Sequence, residues 1–96
     1  MYFIFNALDK KNSVELRTQN RQTHLEFLKT SEENNIKILL AGPRINENKQ
    51  MIGSTLVVEC ENKDVLEKWL EKDIYNKVKL FENSEISEYK IVINNF

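Results

Sequence analysis

One cysteine, one proline, one histidine and two glycines are all that this 96-residue chain holds of those residue types, and each scarcity excludes something. Cys60 alone forms no internal disulfide. With a single histidine beside it, the thiolates and imidazoles that assemble a zinc site are missing. Gly42 and Gly53 are too few and too far apart for a phosphate-cradling loop, and no nucleophile elbow surrounds Ser54. No apolar run approaches the roughly 18 residues of a membrane span. The longest, Tyr2 to Phe5 and Ile38 to Ala41, read as strands, and no membrane partner is expected. The N-terminus lacks the basic start, apolar stretch and small-residue cleavage site of a secretory signal, so the expected compartment is the cytoplasm. Neither sign of charge is in excess: fourteen basic residues against fifteen acidic ones leave a net charge of −1. Without a basic stripe and interleaved aromatics, no nucleic-acid partner is expected.

What is present suffices for one core. At 41% hydrophobic and 30% charged, the composition is that of a folded protein rather than a disordered one. The length suits a single domain over residues 1–96, since a second core could not be filled. So small a domain leaves much of its surface unburied, and covering an apolar face with a second copy adds stability, so a homodimer is expected.

The aromatic and β-branched run Tyr2 to Phe5, followed by Asn6-Ala7, predicts a first strand. Asn12 or Ser13 is placed to cap a helix reaching about Lys29, which ends near Ser31 to Asn35. Ile36 to Leu40 alternates as a second strand that stops at Gly42-Pro43, because proline cannot donate to a ladder. Arg44 to Gln50 is polar, rich in Asn and aperiodic, and predicts a mobile loop. A third strand covers Ser54 to Cys60. Asn62 caps a second helix that extends through Leu70 toward Tyr75, and Val78 to Ile93 supplies a last strand or two. Strand, helix, strand, strand, helix, strand is the split pattern of ferredoxin-like α+β folds, with both helices on one face of an antiparallel sheet.

On a helical wheel the first helix puts Gln19, Gln22, Glu26 and Lys29 on one side and Val14, Leu16, Leu25, Phe27 and Leu28 on the other. Arg17, Arg21 and His24 fall within the apolar group, although a buried charge without a partner costs several kcal/mol. The second helix repeats the anomaly. Val65, Leu66, Trp69 and Leu70 define its apolar face, and one further turn places Asp73 there. Helices lying side by side would let Asp73 reach His24 or one of the arginines. A carboxylate beside an imidazole holds its tautomer and leaves the other nitrogen free to move a proton. Each position also has a plainer reading: a structural histidine, arginines whose heads snorkel to water, an aspartate that closes a helix. Cys60 reads as a packing thiol and Trp69 as a core anchor.

The segment Arg17 to Leu25, then Leu40-Ala41-Gly42-Pro43, Gly53-Ser54-Thr55, Trp69 and Asp73-Ile74-Tyr75 together resemble the YCII-related domain pattern over nearly the whole chain. The resemblance implies a ferredoxin-like domain that dimerises sheet to sheet as a dimeric α/β barrel. It also implies a catalytic pair, carried over here as His24 and Asp73, in a pocket lined or supported by Arg17, Arg21, Gly42, Pro43, Ser54 and Tyr75. Some relatives remove chloride from chlorinated hydroxyquinones. Where that pattern usually has proline between the aspartate and the aromatic residue, this chain has Ile74, and residues 44–52 have no clear counterpart. The expectation is a cofactor-independent enzyme in which His24, oriented by Asp73, abstracts a proton from a small cyclic or hydroxylated substrate, with elimination or isomerisation. The alternatives are a module that binds a small metabolite without turning it over, and a purely structural domain.

Overall fold

The computed structural model describes residues 1–96. Its elements in chain order are β1 (Tyr2–Asp9), α1 (Val14–Leu28), a 3₁₀ turn (Glu32–Asn34), β2 (Lys37–Ile45), β3 (Met51–Glu59), α2 (Lys63–Leu70), α3 (Ile74–Lys77) and β4 (Phe81–Tyr89). The four strands form one antiparallel sheet in the order β2-β3-β1-β4. Two outer strands flanking the pair β3 and β1, with the helical connections on one face, is the ferredoxin-like α+β topology. No helix is long and apolar enough to cross a membrane.

Strand alternation sets the layers. Phe3, Phe5 and Ala7 of β1 and Leu56 and Val58 of β3 point to one face and are buried, together with Leu66, Trp69 and Leu70 of α2. Phe27, near the end of α1, stacks on Trp69 with centroids 4.4 Å apart, and the indole N–H donates to Thr30 Oγ1 at 3.1 Å. The opposite face carries Tyr2, Ile4, Val57 and Leu40, and Leu40 is 49% exposed.

Several boundaries differ from the sequence expectation. The first strand runs two residues past Ala7, to Asp9. The second does not stop at Gly42-Pro43 but continues to Ile45, with Pro43 in register with Ser54. As an outermost strand, β2 tolerates a residue that donates no hydrogen bond. The expected loop over residues 44–50 is a tight hairpin turn: Asn46 Oδ1 accepts from the backbone N–H groups of Asn48 (2.9 Å) and Gln50 (3.0 Å), and Lys49 takes a positive φ of 64°. The side chains of neither Asn12 nor Ser13 cap α1; the Ser13 hydroxyl donates back to Lys11 O. Asn62 does cap α2, accepting from Val65 N at 3.0 Å. That helix ends at Leu70 rather than near Tyr75; of the one or two strands expected after it, one is present, β4.

Candidate active site

The inward face of α1 carries two polar side chains: the buried residues of this helix are Arg17 and His24. Arg17, 2% exposed, is held from three sides. Its Nε donates to Asp9 Oδ2 at 2.7 Å, and its Nη2 to Asp9 Oδ1 and Ser54 Oγ, both at 2.9 Å. Asp9 reaches it because the alternation of Phe3, Phe5 and Ala7 carries one step further, turning an acid onto the buried face of β1. The bidentate carboxylate and the hydroxyl supply what a buried guanidinium needs.

Asp73 does not arrive by continuing α2. The chain leaves that helix, and Asp73 becomes the cap of α3, with Oδ1 accepting from Tyr75 N at 3.2 Å. Ile74 thus occupies the first helical position, one that favours proline, and the Asp73 cap holds the turn instead. From there both carboxylate oxygens lie 2.9 Å from His24 Nδ1. Asp73 is 3% exposed and His24 8%. A proton on Nδ1 donates to this carboxylate, and Nε2 then carries the free lone pair. No hydrogen bond engages Nε2, and no fully buried side-chain nitrogen or oxygen lacks a partner, so Nε2 keeps accessible surface, on a residue that borders a cavity.

Tyr75 joins the two polar groups. Its ring stacks on the imidazole at 4.0 Å and 14°, and the Arg17 guanidinium carbon sits 4.6 Å from its centroid. Burial pushes the phenol pKa up, opposed in part by the charge of Arg17 and, more weakly, of Arg21. The hydroxyl therefore keeps its proton and donates to Arg17 O at 3.4 Å.

The cavity has a volume of about 110 Å³ and is bordered by Arg17, Arg21, His24, Ser54 and Tyr75, by Gly42 and Pro43 of β2, and by apolar Leu25, Leu28, Ala41 and Leu56. Asp73 stands behind His24. All eight residues singled out in the sequence are thus gathered at one place. They divide: Arg17 is engaged, whereas Arg21 is exposed and takes part in no ion pair or side-chain hydrogen bond. A Cβ at Gly42 would meet nothing within 4 Å, so that glycine is not demanded by crowding. Asp9 is the residue the sequence reading missed. A larger open groove of about 660 Å³ runs between α2, α3 and β4, but its charged residues, such as Lys63, Glu71 and Glu85, are exposed and solvated, and it holds no buried titratable group.

The sequence model of the YCII-related domain matches residues 1–90. The chain is similar to a Haemophilus influenzae protein, with 30% identity over 98 residues that take in 96% of this chain and 99% of that one. Among solved structures it is similar to 5-chloro-2-hydroxyhydroquinone dehydrochlorinase (TftG) from Burkholderia phenoliruptrix AC1100 in complex with 2,5-dihydroxybenzoquinone. The TM-score is 0.83 at 28% identity, over 94% of each chain. It shares its fold alone with an antibiotic biosynthesis monooxygenase, at a TM-score of 0.55 and 7% identity over 96% of this chain and 98% of that one. These neighbours share the dimeric α/β barrel fold class, which extends the ferredoxin-like topology described above.

Proposed function

This chain belongs to the YCII-related domain family, and from that premise we propose that it is an acid–base enzyme that removes a proton from a small cyclic, hydroxylated substrate, with elimination or isomerisation. One observation carries the reading: His24 Nδ1 is 2.9 Å from both oxygens of a buried Asp73, while Nε2 keeps accessible surface on a residue that borders a small, partly closed cavity. In this role Asp73 fixes the tautomer and balances the imidazolium that forms, and Nε2 is the proton acceptor. Arg17, Arg21 and Ser54 supply the polar contacts that hold the substrate's oxygens. In an elimination the proton passes to Nε2, the electrons of the broken bond form the new double bond, and the leaving group departs with its own pair.

The size of the cavity supports a single ring. A cavity of about 150 Å³ takes up benzene, so the 110 Å³ here holds no more than one ring, with its substituents at the mouth. Pockets for larger ligands run about 300–1,000 Å³, so the reaction is proposed to proceed without an organic cofactor. The similar dehydrochlorinase acts on a substrate of this kind, which makes a chlorinated hydroxyhydroquinone the first compound to test. Chloride release and the quinone product are measured together. His24→Ala is expected to lower turnover by about 100-fold or more, and Asp73→Asn to lower it by a smaller factor. Turnover that survives His24→Ala unchanged would remove the assignment.

The same premise extends to assembly: the chain is proposed to be one domain that pairs with a second copy through the sheet face bearing Tyr2, Ile4, Leu40 and Val57.

A further inference from the structure

The two arginines of the cavity are not equivalent. Arg17 is charge-balanced: Asp9 takes its Nε and Nη2 in a bidentate pair with side chains 2% and 3% exposed, and Ser54 takes a further bond from Nη2. What it still offers the cavity is a fixed donor from Nη1, not net charge. His24 must be neutral to accept a proton, so beside it Asp73 contributes one negative charge at the back of the site. Arg21 is the remaining charged residue of the lining, one helical turn before His24, and it has no partner. It is exposed, and its charge opposes in part the rise that burial causes in the Tyr75 phenol pKa.

We propose that Arg21, not Arg17, reads the charge of the ligand, and that the cavity takes a single-ring monoanion with its charged oxygen at the mouth and an uncharged oxygen against Ser54 and Arg17. This rests on the assignment of the cavity as the substrate site and names the substrate class it accepts. One free cation matches one negative charge. Inside the cavity a second carboxylate would have to lie against His24, which is backed by the negative Asp73, or against apolar Leu25, Leu28 and Leu56, where no opposite charge answers it.

A series on one ring tests this: benzyl alcohol (uncharged), benzoate (one charge) and phthalate (two), titrated by NMR against the intact protein while the ring resonances of His24 and Tyr75 are followed. Benzoate is expected to bind about tenfold or more tighter than benzyl alcohol, with phthalate no tighter than benzoate. Arg21→Gln should bring benzoate down to the level of benzyl alcohol, and Arg21→Lys should keep part of the preference. Arg21 is exposed, so these variants should fold as the parent does. Equal binding of benzoate and benzyl alcohol, a preference that survives Arg21→Gln, tightest binding by phthalate, or binding that leaves both ring resonances unmoved would each overturn the proposal. The binding series needs no turnover. A charge preference that depends on Arg21, in a protein whose turnover ignores His24→Ala, would refute the acid–base reading alone. Absence of the preference, where His24→Ala abolishes turnover, would refute only the role of Arg21.

Discussion

Asp9 and Arg17 illustrate how unequal the two ways of removing a buried ion pair are. Asp9→Ala leaves a guanidinium that is 2% exposed with no counter-charge and only Ser54 as a side-chain hydrogen-bond partner, and urea unfolding is expected to show a loss of about 3–5 kcal/mol. Asp9→Leu combined with Arg17→Met removes both charges and is expected to recover most of that loss. Cys60 gives a second residue-level expectation. Burial pushes its thiol pKa up, opposed only in part by the Asn62 backbone and by the positive charge of the N-terminus. Less thiolate at a given pH means slower reaction, so Ellman's reagent at pH 8 should label the folded protein slowly and the unfolded chain at once. At this scale much of the site was legible in the sequence, because charged and polar residues at apolar helix positions stand out against the wheel. Asp9 was not, because the apolar run seemed to end the strand at Ala7; one more step of the two-residue alternation would have shown an acid on the buried face.

Among the elements, local rules fall short where the surrounding topology decides. Proline in β2 reads as a stop, yet at the edge of the sheet its missing N–H deprives no neighbour. Asp73 was placed near His24 by extending α2 one turn, and it arrives instead as the cap of α3. The contact was foreseen but its route was not, since periodicity carries no sign of where a short helix breaks off. Gly53 sits where β1 and β3 approach closely: a Cβ there would clash with the backbone oxygen of Ala7. Gly53→Ala should therefore lower stability by about 1–3 kcal/mol, whereas Gly42→Ala, facing open space, should stay within about 0.5 kcal/mol. Thermal or urea unfolding of the two variants side by side checks the contrast.

For the molecule as a whole, the unfilled requirement is the sheet face away from the helices. Tyr2 and Ile4 there are only partly covered, and Leu40 is 49% exposed. The expected outcome is a dimer in light scattering at micromolar protein, and a monomer for Leu40→Lys, since pairing would then bury a charge without a partner. A monomeric parent would contradict the pairing. Within one copy, α1 is fastened in two different ways: its last turn by Phe27 stacked on Trp69, its middle by Arg17 and His24 bonded to Asp9, Ser54 and Asp73. The groups that would do the chemistry are therefore also the rivets of the scaffold. A randomised library sorted only for folded members would come out enriched in intact binding sites, without any selection for the reaction itself.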